Sequence, residues 1–178
     1  VLIKPMQIIK HKEAKVKKDF FYFTGKVEID QKYFIDKINE GCSNPNNLNH
    51  VTNIKGKKTE WKYFNQDINF LKILKLLINY VDDNLELDKY HLHESWGFEL
   101  QPSEQTNYHT HGMALWSGVI YLNSSTQILN FPEIKEKLKP EIGSFAIFSP
   151  FLDHGCERNK DSFSKFGIAF NMFETKNW

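Results

Sequence analysis

The sequence predicts a mainly β fold with helices confined to the N-terminal half. Two early stretches carry apolar residues at helical spacing. Beyond Leu87 the apolar runs shorten to strand length. They are separated by turn formers, namely Pro102, Asn123-Ser124, Pro132, Pro140, Gly143, Pro150 and Gly155. A chain of 178 residues that is 40% hydrophobic and rich in phenylalanine can fill one sizeable core.

The elements come in this order. Phe20 to Ile29 is aromatic and β-branched, so it reads as a strand. Asp30 can cap a helix reaching about Glu40, with Phe34, Ile35 and Ile38 on one face and Gly41 as the stop. Cys42 to Lys58 is rich in Asn and Gly, contains Pro45, and reads as loop. A second helix is expected from about Gln66 to Val81, where Ile68, Leu71, Ile73, Leu74, Leu77, Ile78 and Val81 form a broad stripe. Strands are expected at Ser95 to Gln101, Trp116 to Asn123, Gln127 to Phe131, Ser144 to Ser149 and Phe163 to Phe173. Short strands at this spacing suggest a barrel or sandwich. The expected organisation is one domain over 1–178, with residues 1–90 as mixed helical and strand support and 91–178 as the β core.

Charge narrows the partners. A formal charge of +1 gives no general reason to expect nucleic acid or an anionic membrane. Val1 to Lys18 lacks the apolar run and cleavage site of a secretory signal, and no stretch reaches the roughly 20 apolar residues of a membrane span. Cys42 and Cys156 are too few for a disulfide framework, so a reducing cytoplasm is the expected location. Lys and Arg total 23, and Arg158 is the single arginine, which leaves 22 lysines. Lysine is therefore expected at sites where arginine is usual.

Seven histidines occur: His11, His50, His91, His93, His109, His111 and His154. Two pairs have the spacing His-x-His. On a strand, residues i and i+2 share a face, so either pair can aim two imidazoles at one point. Imidazole nitrogen binds iron, zinc, copper or nickel. His91 and His93, set among Asp88, Lys89 and Glu94, read as surface. His109 and His111 read as metal ligands because of the segments around and downstream of them.

Those segments form an ordered set. Asn107-Tyr108-His109-Thr110-His111 precedes Ser117-Gly118-Val119-Ile120-Tyr121-Leu122-Asn123 and Leu129-Asn130-Phe131. Gly143-Ser144-Phe145-Ala146-Ile147-Phe148, His154, Lys165 and Ile168-Ala169-Phe170-Asn171 complete it. Over roughly Trp96 to Phe173 the chain resembles the 2-oxoglutarate- and Fe(II)-dependent oxygenases, in particular their small microbial and phage members. The resemblance implies a double-stranded β-helix (jelly roll), Fe(II) as metal, and 2-oxoglutarate and O2 as co-substrates.

By that resemblance the metal histidines are His109 and His154. The residue two after the first histidine is usually Asp or Glu, and here it is His111. The third ligand is then His111, a carboxylate such as Asp153 or Glu104, or water. Three neutral imidazoles would leave the metal's charge to be neutralised by the 2-oxoglutarate dianion. The family's basic anchor for the co-substrate's distal carboxylate falls on Lys165, with Arg158 as the rival. The Arg-x-Ser usual there becomes Lys165-Phe166-Gly167, so a hydroxyl is missing. Arginine would bind a carboxylate bidentately, whereas lysine supplies a point charge. Tyr121 can reach the same carboxylate or serve as core, and Gln101 is a candidate for the other end of the molecule. Trp96 and Trp116 read as core.

The implied chemistry is oxidative decarboxylation of 2-oxoglutarate to succinate, coupled to C–H oxidation of a second substrate. Two other classes stay open. One is a cupin-like three-histidine metalloenzyme without 2-oxoglutarate, which His111 favours. The other is a non-catalytic jelly-roll binding module. The primary substrate and the oligomeric state are not legible.

Overall fold

The computed structural model describes residues 20–47, 52–85, 87 and 89–175. The stretch Val1 to Lys18, with His11, lies outside the described residues, as does His50.

Local chemistry sets the two helices found among the described residues. In α1 (Gln31–Ser43), the Asp30 carboxylate accepts from the Tyr33 N–H at 3.0 Å, satisfying a donor that the first turn leaves free. Phe34 and Ile38 are buried on one face. The helix passes through Gly41 instead of stopping there. A Cβ at this position would lie 2.7 Å from Thr59 Cγ2 and 2.8 Å from Tyr63 Cζ, so the glycine permits close packing. In α2 (Ile68–Asn84), Asp67 caps the helix by accepting from the Asn69 and Phe70 N–H groups. The Tyr33 hydroxyl donates to the other Asp67 oxygen at 2.6 Å, which ties the two helix starts together. Phe70, Ile73, Leu74, Leu77 and Val81 form its buried stripe.

The strands are β1 (Tyr22–Lys26), β2 (Lys57–Lys58), β3 (Tyr90–Leu100), β4 (Thr106–His109), β5 (Trp116–Tyr121), β6 (Leu129–Phe131), β7 (Glu136–Leu138), β8 (Ser144–Phe148), β9 (His154–Cys156) and β10 (Lys165–Glu174). They form two antiparallel sheets. The larger has the order β1-β8-β5-β10-β3-β2, and the smaller β4-β9-β6-β7. The first half of the chain thus supplies both edge strands of the larger sheet as well as the helices.

Two apolar clusters lie on opposite faces of the larger sheet. Trp116, Ile120, Phe145, Ile147, Ile168, Phe170 and Met172 pack with Phe34, Ile38, Phe70 and Leu74 of the helices. Val119, Tyr121, Ala146, Phe148, Phe98 and Leu100 pack with Leu129, Phe131 and Cys156 of the smaller sheet. The alternation along β5, β8 and β10 reflects the strand's period of two. Each fully buried large apolar side chain contributes about 1.5–3 kcal/mol. β5 and β8 are buried throughout, so register here rests on the fit of individual side chains to each face and not on polar alternation.

Several boundaries differ from expectation. β3 begins five residues before Ser95 and includes His91 and His93. His91 is exposed, and His93 stacks on Phe173 at 4.1 Å, so neither faces a shared centre. Lys57 and Lys58, expected as loop, pair with β3. β4, β7 and β9 are short strands whose few residues leave little periodic signal. Cys42 and Cys156 are free thiols. Among the described residues no helix is long and apolar enough to cross a membrane.

Candidate metal centre

His109 ends β4 and His154 begins β9, and the two residues face each other in the register of that pair. Gly155 allows this crossing. A Cβ there would lie 2.9 Å from the Tyr108 nitrogen and 3.0 Å from the Thr106 oxygen, both backbone atoms that cannot swing aside. His111 lies beyond the end of β4 and is placed by a loop. Its N–H donates to the Pro150 carbonyl at 2.7 Å, and its own carbonyl accepts from the Ala114 N–H at 2.9 Å. The expected i, i+2 strand geometry is therefore not what brings His109 and His111 together.

The three imidazoles converge. One nitrogen from each lies within 4.8 Å of the others. His111 Nε2 and His154 Nε2 are 3.2 Å apart. Two imidazoles bound side by side to one ion at about 2.0–2.1 Å would hold their nitrogens about 3 Å apart. His109 Nδ1 lies 2.8 Å from the Asn107 carbonyl, and His154 Nδ1 lies 2.9 Å from the Leu152 carbonyl. A carbonyl only accepts, so each Nδ1 carries the proton and each Nε2 presents its lone pair.

Burial keeps the cluster neutral. It pulls the His111 pKa down to about 3, with the His109 charge adding to the effect. Burial likewise holds His154 well below its ordinary value and lowers His109. Phe131 stacks on His154 at 5.6 Å, and Phe148 approaches it at 4.5 Å, which explains the desolvation.

A cavity of about 60 Å³ is lined by the three histidines. Its lining includes Val119, Tyr121, Leu129, Cys156 and Lys165. Lys165 is 1% exposed. Its Nζ lies 3.3 Å from the Gln127 carbonyl, 3.6 Å from Cys156 Sγ and 5.2 Å from the Tyr121 ring centre. Burial lowers its pKa, and the nearby Cys156 thiol partly opposes that. Lys165 forms no ion pair among the described residues. Asp161 reaches it only through its charge, without an ion pair, so this inward-facing ammonium is a candidate receptor for an anion. Burial also raises the Tyr121 hydroxyl well above its ordinary pKa, keeping it protonated.

The remaining sequence candidates lie elsewhere. Arg158 is exposed and does not line the cavity. Gln101 binds Glu104 through its N–H and Glu99 through its side chain, also outside the cavity lining. Glu104 and Asp153 are not part of the histidine cluster. Asp153 affects His109 only through its charge. Trp116 belongs to the helix-facing core, whereas Trp96 lines the cavity. Sequence reasoning misses the Asn107 and Leu152 carbonyls, which reach the imidazoles only in the folded chain. It also misses Cys156, although its position two residues after His154 places both on one strand face.

Neither a protein-family model nor a curated protein matches the sequence. Solved structures do share the fold. A viral collagen prolyl hydroxylase, vCPH, from Paramecium bursaria Chlorella virus-1, solved as its 2OG complex, aligns with a TM-score of 0.70 at 17% identity. That alignment covers 89% of this chain and 97% of that one. HygX from Streptomyces hygroscopicus, with nickel and 2-oxoglutarate bound, gives 0.64 at 11% identity over 88% of this chain and 83% of its own. A Pseudomonas putida prolyl-4-hydroxylase gives 0.62 at 12% identity over 87% and 93%.

Proposed function

We propose that the protein is an Fe(II)- and 2-oxoglutarate-dependent oxygenase, a hydroxylase built on a double-stranded β-helix. The observation that carries this is one cavity lined both by three converging imidazoles and by a buried ammonium that forms no ion pair among the described residues. The donor set fits the groups. Three neutral nitrogen ligands suit Fe(II) and leave its positive charge for a dianion to offset. The relatives in fold whose bound groups are named, vCPH with 2OG and HygX with nickel and 2-oxoglutarate, support the same pair of groups.

His109, His111 and His154 would hold the metal through Nε2. Lys165 would take the distal carboxylate of 2-oxoglutarate, with the Tyr121 hydroxyl beside it. When bound, iron and 2-oxoglutarate supply the oxidising chemistry: O2 is consumed, 2-oxoglutarate gives succinate and carbon dioxide, and one oxygen atom enters a substrate C–H bond. The protein's own part is to orient and to exclude water. Asn107 and Leu152 hold two imidazoles in one tautomer. Val119, Leu129 and Phe148 give the cavity an apolar lining, which strengthens the Lys165 charge toward a carboxylate.

Anaerobic titration tests the reading. Fe(II) followed by 2-oxoglutarate should produce a weak visible charge-transfer band and raise the Tm. The runner-up, a cupin-like enzyme that binds metal but not 2-oxoglutarate, is favoured by His111 standing where a carboxylate is usual. Iron binding with neither band nor added protection from 2-oxoglutarate would select it. Absence of any divalent-metal binding would leave a non-catalytic binding module.

A further inference from the structure

A second cleft, of about 450 Å³, shares Ile54, Trp96, His109 and His111 with the first cavity. Trp61, Glu94 and Asn171 also line it. It contains a chain of polar groups that the metal centre does not use. The Ser117 hydroxyl donates to Asn171 Oδ1 at 2.6 Å, and Asn171 Nδ2 donates to Glu94 Oε1 at 2.7 Å. Ser117 and Asn171 are buried, so the amide orientation is fixed from below. Glu94 is thus held by one oxygen. Its other oxygen takes no hydrogen bond among the described residues.

The nearby lysines are engaged elsewhere. Lys58 is buried, donates to the Thr59 carbonyl and lies 3.7 Å from the centre of the Trp61 ring. Its charge reaches Glu94, but the two form no ion pair. Lys55 is exposed and donates to the Thr52 carbonyl at 3.1 Å.

A second, independent observation points to a ligand. Trp96 is 4% exposed and lines both cavities, and its indole N–H has no acceptor among the described residues. Such a buried donor is costly unless a ligand satisfies it. Glu94 and Trp96 are i and i+2 on β3, so they share a face with their Cα atoms about 7 Å apart. An acceptor-only carboxylate and a donor-only indole at that spacing complement a molecule with a cationic nitrogen next to a carbonyl or carboxylate oxygen.

We propose that this cleft binds an α-amino acyl group, with its ammonium on Glu94 and its carbonyl or carboxylate oxygen on the Trp96 N–H. Glu94 is then the specificity-determining residue. The chemistry is shared by a free α-amino acid and by the N-terminal residue of a peptide. The proposal rests on the oxygenase reading only for what happens to the bound compound.

The test uses binding to the full chain, read by tryptophan fluorescence. The probes are the twenty common L-amino acids, the corresponding X-Gly-Gly tripeptides, and the N-acetylated form of each. At least one free-amine probe should bind at least tenfold more tightly than its N-acetyl form. Glu94→Gln should erase that discrimination, and Glu94→Asp should retain part of it. Stronger binding of the amino acids than of the tripeptides identifies a free amino acid, and the reverse identifies a peptide N-terminus. Equal binding of free and acetylated probes, or discrimination that survives Glu94→Gln, overturns the proposal. So does loss of the Fe(II)–2-oxoglutarate band in Glu94→Gln, since the carboxylate would then serve the metal centre. A band missing from the wild type overturns the oxygenase reading alone, because fluorescence still reports the cleft.

Discussion

Replacing Lys165 with methionine should move stability and co-substrate affinity in opposite directions. The ammonium is 1% exposed, and its polar neighbours among the described residues are the Gln127 carbonyl at 3.3 Å and Cys156 Sγ at 3.6 Å. A carboxylate arriving there would gain a charge-assisted hydrogen bond and a Coulomb attraction in a dry cavity. Leaving one member of such a pair unpaired costs about 3–5 kcal/mol. Taking the lower figure, 2-oxoglutarate should bind Lys165→Met about 150-fold more weakly. Iron affinity should stay within about threefold, a change below about 1 kcal/mol, because Lys165 is not one of the three converging histidines and its loss removes no metal ligand. In the metal-free protein the same substitution removes an unpaired buried charge and keeps the volume. A gain of about 1 kcal/mol would raise the Tm by about 2–4 °C. Anaerobic absorbance titration gives the affinities, and a thermal melt gives the stability. An unchanged 2-oxoglutarate affinity would refute the reasoning and move the anchor to Arg158 or elsewhere. A lowered Tm would show that the ammonium is already well paired in the free protein.

Three further outcomes are expected from the geometry. Gly155→Ala should destabilise the fold and weaken iron binding together, because the added methyl meets the backbone at Tyr108 and Thr106 between the two histidine strands. A parallel melt and metal titration would check it. Asp67→Ala should cost about 1–2 kcal/mol, since it removes the α2 cap and the Tyr33 link, with iron affinity unchanged. Urea unfolding measures that loss. Metal-free protein should lose stability as the pH falls from about 6.5 toward 3. The unfolded chain takes up a proton on His111 near 6.5. The folded chain does so only near 3, so stability is retained above this window and lost within it. The slope is at most about 1.4 kcal/mol per pH unit for each such histidine. Melts at pH 5 and 7 should show it, and His111→Gln should reduce it.

The fold class is legible because α1 and α2 carry clear helical stripes and the later strands are bounded by proline and glycine. Asp30 is legible as a cap from its position, whereas Gly41 is not the stop that its place in the sequence suggests. Its lack of a side chain serves packing against Thr59 and Tyr63, a contact made across eighteen or more residues of sequence. The short strands β4, β7 and β9 are invisible because three or four residues hold no periodicity. At the centre, His109, His111, His154, Lys165 and Tyr121 are all candidates from sequence, and the structure gathers them around one cavity. The family resemblance, more than spacing, singles them out. His111 is held by a hydrogen bond to Pro150 beyond the end of β4, and not by strand alternation. The Ser117–Asn171–Glu94 chain joins three distant strands, so no local pattern announces it.

β10 has a consequence for how this chain can change. Lys165 and Ala169 face the cavity, Asn171 faces the cleft, and Ile168, Phe170 and Met172 face the helices. The strand therefore works as a ruler graduated in single residues. Its inner marks set the distance from the buried Lys165 ammonium to the group that steadies Glu94, and its outer marks hold the core. Inserting or deleting one residue would misplace both scales at once. Substitutions can tune chemistry along this strand one position at a time, but its length is a fixed quantity on which recognition and folding jointly depend.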